Sequence, residues 1–273
     1  MDRFDFVKRD VSATLDITVH ADTVLGFQIA VAHQAGIDLT ESMDFIVDSR
    51  GLQPREILGA HGTRIHQVSS PAGGLRVCYR ATALGSATAE PVSDHDLSMY
   101  LRPSRFAESD KLLGFAPTEF GCGIGDLGMP ARISTWVGTG ICYLAGSSDP
   151  IDGAVETLLS GAGVCRDFTH LVVALARAVG VPARVAAVYT PGCMPMDFHS
   201  VAEAYVDGGW QAFDPTCLAP RAALLRIATG RDASDIAFLA NHGGDISMNS
   251  LSVHATIDGP LPMDDLGRSI AIR

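Results

Sequence analysis

Cys165, His199 and Asp214 have the side-chain types and the chain order that nucleophilic catalysis needs. In GAGVCRDFTHLVVALARAVGVP (161–182) the thiol stands where an apolar helix begins, not inside its apolar stripe. Phe168, Leu171, Val172, Leu175 and Val179 recur at the helical period, Gly180 ends the helix and Pro182 prevents its restart. The leading N–H groups of a helix lack intrahelical acceptors, and the helix dipole is positive there. A thiolate against those groups is stabilised, which lowers the thiol's pKa, and the same groups can later face an oxyanion. Asp167, also in the first turn, suits a helix start and could hold Arg166 or the preceding loop. From this stretch alone, a small residue fitting under a tight turn explains Cys165 equally well.

A nucleophilic thiol needs a base, and the base needs an orienting partner. In MDFHSVAEAYVDGGWQAFDPTC (196–217), two strand-like runs flank Asp207-Gly208-Gly209, a hairpin signal. A two-residue turn pairs Val206 with Gly209, Tyr205 with Trp210, Glu203 with Ala212 and Val201 with Asp214. His199 and Asp214 then become diagonal neighbours on one face, with backbones roughly 7–8 Å apart and side chains in reach. A plain three-residue loop would put them on opposite faces unless a bulge restored them. Asp197 is a rival partner on the same strand face. Asp214 is preferred, because a cross-strand carboxylate leaves the opposite ring nitrogen for the thiol. The bland alternative is a satisfied core histidine and an aspartate that only forms a turn before Pro215.

The elements that must position these residues fall into two textures. The first hundred residues read as short strands (11–20, 42–50, 62–70 and 74–83) punctuated by glycine and proline, which predicts an antiparallel sandwich. The segment 26–36 reads as a helix or a strand. After residue 105 come helical patterns at 107–121, 129–146, 149–161 and 165–179, with Asp149-Pro150 as cap and first turn of the third. Strands are expected at 183–190, 198–206, 210–214, 235–240 and 246–257. The fold class is α+β: a β-rich domain over 1–105, then a core over 106–273 with the Cys165 helix packed on an antiparallel sheet.

Composition sets limits on partners. Hydrophobic residues make up 47% and charged residues 19%, enough for a large core. The net charge of -11 disfavours phosphate backbones and anionic membranes, so neither nucleic acid nor a membrane is an expected partner. The opening MDRFDFVKRD lacks an apolar signal-type stretch, and six scattered cysteines suit a reducing cytoplasm, the expected location. A zinc site from Cys165, Cys193, His199 and Cys217 has no regular ligand spacing, so neither a metal nor another cofactor is expected. His170 reads as structural, His242 as a loop residue, and Met194 and Met196 as loop packing or the lining of a substrate groove.

Together, GAGVCRDFTHL (161–171) and DFHSVAEAYVDGGWQAFDPT (197–216), with the order Cys, His, Asp at spacings of 34 and 15 residues, resemble the transglutaminase-like superfamily of papain-related cysteine enzymes. The stretches 100–110, 146–159 and 218–238 resemble the bacterial transglutaminase-like proteins, although Ala107 stands where cysteine is often expected. The resemblance implies Cys165 as nucleophile, His199 as general base and acid, and Asp214 as orienting carboxylate. It implies acyl transfer or hydrolysis at amide bonds of a peptide or protein substrate through a thioester, with hydrolysis favoured over cross-linking. The oxyanion donors would be the Cys165 N–H and one upstream group, Tyr143 or Trp136. A catalytically silent scaffold that binds proteins is the alternative.

Overall fold

The computed structural model describes residues 7–273. The first six residues of the expected β-rich domain, and with them most of the reading of the chain's opening, lie outside the described residues. Strict alternation in Lys8–Val19 turns Val11, Ala13, Leu15, Ile17 and Val19 inward. This strand lies in a five-stranded antiparallel sheet ordered Ile246–Ile257, Lys8–Val19, Gly73–Gly85, Ile37–Val47, Arg50–Leu52. A second sheet, ordered Leu239–Asn241, Thr23–Phe27, Arg64–Ser70, Arg55–Leu58, faces it, and Phe27 meets Phe45 across the gap at 5.3 Å between centroids. The strand expected at 235–240 begins only at Leu239, after the short helix Ala233–Ile236; it and Ile246–Ile257, both read on the core side of residue 105, complete the sandwich, the latter pairing along Lys8–Val19 from Arg9↔Ile257 to Val19↔Ile246. Alternation makes 246–257 a strand, but only the folded chain supplies its neighbour.

The segment after Phe27 is neither of the expected elements. Ile29, Ala30, Val31 and Ala32 are buried without regular structure. Their backbone groups find other partners: Tyr79 accepts from Val31 N–H, Tyr189 donates to Ile29 C=O, and Ala32 N–H donates to Arg226 C=O. Side chains of the sandwich and strands of the core thereby hold one extended linker between them.

In the core, the helix Cys165–Ala178 lies on a four-stranded antiparallel sheet ordered Gly209–Phe213, His199–Val206, Ala183–Tyr189, Leu225–Gly230. It is buried on all sides from Asp167 onward, because Met129–Gly140, Ala154–Ser160 and the turn Ser109–Leu112 pack around it. The helix expected at 149–161 starts only at Ala154: Asp149 caps the N–H of Ile151 in a tight turn instead. The one expected at 107–121 is split into Ser109–Leu112 and Phe115–Phe120. Among the described residues no helix is long and apolar enough to cross a membrane.

A buried ion network fastens the core sheet. Glu203, fully buried, accepts from Arg184 Nε at 2.8 Å and from both terminal nitrogens of Arg226 at 2.7 and 2.6 Å. Arg184 continues to Glu90 at 3.0 Å and lies 4.2 Å over the Trp210 ring. Burial opposes the Glu203 charge, but the two guanidinium groups overcome it and hold the carboxyl down to about 2. Glu203→Ala is expected to cost about 3–5 kcal/mol in urea unfolding, because two guanidinium groups lose their buried partner. A folded pKa below the ordinary 4.5 means the carboxylate's contribution is complete above about pH 4.5 and is lost as the pH falls toward 2. The difference between wild type and variant should therefore narrow in acid.

Candidate active site

Cys165 is the first residue of its helix, after an extended Val164. Asp167 reaches back to accept the Val164 N–H at 2.8 Å and closes the first turn. Its other oxygen accepts from Arg166 Nε and Nη2 at 3.2 and 3.1 Å, and Arg166 goes on to the Asp149 carbonyl at 2.7 Å and to Ser148. Asp167 thus holds both its neighbour and the 146–153 loop. Gly163 is required here, since a Cβ would stand 2.7 Å from that of Asp167.

His199 opens the strand His199–Val206, paired with Val188. The hairpin has the expected register, with Val206↔Gly209, Tyr205↔Trp210 and Glu203↔Ala212. Asp207 and Gly208 take φ of 51° and 79°, the left-handed pair that a two-residue turn of this twist requires. The ladder ends at Ala202↔Phe213, so the expected Val201–Asp214 pair does not form. Asp214 turns out of the strand and accepts from Thr216 N–H at 2.9 Å and Thr216 Oγ1 at 2.6 Å on Oδ1. Its Oδ2 meets His199 Nε2 at 2.9 Å, with both side chains almost wholly buried. Nδ1 is left free of Asp214 on the side of the ring available to the thiol, and His199 is among the groups that lower the Cys165 pKa. Asp197, the rival, instead caps the N–H of Phe198 at 2.7 Å.

The charges depend on one another. Burial pushes the Cys165 thiol up, but the hydrogen bond and charge of His199 and two donors from Ser200 reverse this and hold it below its ordinary value. Burial likewise pushes His199 down, and Asp214 and Cys165 overcome it and raise the imidazole to about 10. Asp214 is held below the usual carboxylate range against its own burial by His199 and Thr216. These shifts all run in the direction of a thiolate–imidazolium pair over a buried carboxylate. Ser200 and Thr216 were not among the sequence candidates. The Asp-x-Thr spacing, which lets an aspartate accept from the residue two on, could have found Thr216. Ser200 had no comparable signal, since its role follows from lying beside the helix, where Thr169 donates to its carbonyl at 2.9 Å.

The two upstream candidates separate. Trp136 donates to exposed Glu119 at 3.1 Å and packs against Phe115 and Phe120, away from the thiol. The Tyr143 phenol lies close enough to Cys165 to be influenced by its charge. A short parallel pairing of Cys142–Tyr143 with Ala162–Gly163 places Tyr143 there, beside the loop that delivers Cys165. Burial and the thiolate raise the phenol's pKa, so it keeps its proton and remains a donor.

The other candidates find structural roles. His170 stacks on Phe106 and accepts from Ala233 N–H at 3.0 Å; burial lowers it to about 4 and keeps it neutral. His242 follows the strand Leu239–Asn241 in an exposed bend, and Met196 accepts from Ala255 N–H against the sandwich. Met194 is exposed. Cys193 donates to the Pro195 carbonyl and Cys217 to that of Asp214. All six cysteines are free, and among the described residues no three metal-ligating side chains converge.

Cys165 is half-buried, not sealed, and with His199 it lines a cavity of about 230 Å³. At pH 6 iodoacetamide is expected to label Cys165 on the order of 100-fold faster than exposed Cys217, because an ordinary thiol is under about 1% ionised there. His199→Ala should remove most of this advantage, with labelling read by peptide mass spectrometry. Equal labelling of all six cysteines would contradict the thiolate–imidazolium pair.

Comparison with known proteins identifies similar sequences and folds. Residues 125–215 match the transglutaminase-like superfamily. The structure of a candidate cysteine protease from Cytophaga hutchinsonii superposes with a TM-score of 0.87 at 30% identity, covering 96% of this chain and 95% of that one. The periplasmic domain of TgpA from Pseudomonas aeruginosa, bound to ethylmercury, aligns at a TM-score of 0.42 and 16% identity over 79% of this chain and 91% of that one. An uncharacterized protein of Mycobacterium leprae (strain TN) is 26% identical over 114 residues, 37% of this chain; the match spans only 39% of that relative's length.

Proposed function

The chain belongs to the transglutaminase-like superfamily, and on that premise we propose that it hydrolyses amide bonds of peptides or proteins through a Cys165 thioester. The observation that carries this reading is the buried His199–Asp214 hydrogen bond of 2.9 Å beside a thiol with a lowered pKa. The thiolate attacks the amide carbonyl carbon, forming a C–S bond. The C–N bond then breaks as imidazolium His199 gives its proton to the leaving nitrogen. The developing oxyanion is received by the Cys165 N–H and the Tyr143 hydroxyl. Neutral His199 next takes a proton from water, the hydroxide attacks the thioester, and the C–S bond breaks to return the thiolate. Asp214 holds the ring in one tautomer and stabilises the imidazolium in both halves. Water needs no binding site of its own, whereas an amine acceptor does, so hydrolysis asks less of this surface than cross-linking. The name of the Cytophaga relative, a candidate cysteine protease, points the same way.

The test is incubation with glutamine-containing and mixed-sequence peptides, with and without a primary amine, followed by mass spectrometry. Hydrolysis products are expected in both arms and none from Cys165→Ala. Amine adducts as the main product would replace hydrolysis with transamidation; no product from any peptide would favour a silent scaffold. Asp214→Asn should lower turnover by on the order of 10²–10⁴-fold. Turnover should also follow a bell in pH. It should fall on the acid side only below the ordinary thiol range, where Cys165 gains a proton, and on the alkaline side near 10, where His199 loses the proton it must donate.

A further inference from the structure

We propose that the cavity beside Cys165 and His199 is the specificity pocket of this site, taking a leucine- or phenylalanine-sized apolar side chain of the acyl donor. The proposal rests on the hydrolase reading above and adds the class of substrate. The cavity is continuous with the chemistry, since Cys165, His199 and both neighbours of the imidazole, Phe198 and Ser200, line it. Its far wall is apolar and comes from four separate parts of the chain. Ala187 and Ile227 belong to core strands, Ile236, Ala237 and Phe238 to the segment that leads into the sandwich, and Leu251 to the last sandwich strand.

Two features leave this space open. Ala187 lies between the larger Val185 and Tyr189 on its face of the strand, so a cavity stands where a larger residue would fill the core. The aromatic wall is braced, with Phe198 stacked on Phe238 at 5.3 Å and packed on Tyr189 at 5.7 Å. The volume of about 230 Å³ exceeds the roughly 150 Å³ apolar cavity that admits benzene. Gln28, Arg166 and Asp197 also line the cavity, but most of the residues around it are apolar, so an apolar side chain is favoured there. Because Leu251 lies in the sandwich, that domain supplies part of the pocket and is more than a cover for the core. A side chain seated here puts its own backbone beside the thiol, with the adjoining carbonyl near the Cys165 N–H.

The test uses peptidyl chloromethyl ketones that alkylate Cys165 and differ only in the side chain next to the electrophile: alanine, leucine, phenylalanine or aspartate. Iodoacetamide, which needs no pocket, is the reference. Leucine and phenylalanine probes are expected to react about 10–200-fold faster than the alanine probe, and aspartate slowest. Ala237→Leu should shrink the leucine-to-alanine ratio toward 1 by filling the pocket. Leu251→Ala, which enlarges the pocket, should raise the phenylalanine-to-leucine ratio. Each readout is a ratio within one protein, so a partly unfolded fraction cancels. Selective iodoacetamide labelling of Cys165 with equal rates for all four ketones would overturn the pocket and leave the hydrolase reading standing. If Cys165 also lacked selective labelling, both would fall.

Discussion

An imidazolium in a nearly dry interior survives only if a neighbouring charge offsets its desolvation, and here that charge is Asp214, 2.9 Å from His199. The rest of the site depends on this bond. Without it His199 would be neutral and would lend Cys165 no positive charge, and the burial that raises the thiol's pKa would win. Asp214 is itself held by Thr216 and by a backbone packed against the helix Met129–Gly140. Gly138 permits that approach, because a Cβ there would come within 2.5 Å of the Pro215 carbonyl oxygen. The position of the carboxylate is therefore set by Thr216 two residues on and by two elements farther away in the chain, the strand that carries His199 and the helix Met129–Gly140.

The sandwich and the core share one continuous apolar cluster, from Val11 through Leu171 to Ala255. The buried linker Ile29–Ala32 has hydrogen-bond partners on both sides of it. Arg177, inside the central helix, shows the same economy: its guanidinium donates to the carbonyls of Ala183, Arg102 and Arg231 and to Ser104 Oγ, tying loops to the helix that carries the thiol. Buried charges here meet several fixed partners each, which favours one arrangement of helix against sheet over near alternatives.

Local patterns made much of this legible. The helix at Cys165 could be read because its stripe, its glycine stop and its proline are all local signals. The hairpin that brings His199 toward Asp214 could be read because Asp-Gly in a two-residue turn dictates register. Segment 149–161 was misread because Asp-Pro also suits a tight turn, and Asp149 uses its carboxylate there. The segment 26–36 defeated periodicity, since a buried linker satisfied by tyrosines and a foreign strand has no period. Tyr143 is placed by a pairing of two residues with two, too short to leave a pattern.

The sequence by itself determined the chemical identities and those elements with strong local patterns. It specified a thiol at a helix start, a histidine and an aspartate on one hairpin, and alternating strands at both ends of the chain. These follow from interactions between residues close in sequence, where period and turn geometry leave few options. Only the tertiary structure decided which elements meet. It paired Ile246–Ile257 with Lys8–Val19, set Ser200 and Tyr143 around the thiol, turned Asp214 out of its strand onto His199, and left a cavity walled in part by the sandwich. Contacts between distant residues are selected by how whole faces pack and which buried polar groups find partners, and no local stretch of the chain carries that information.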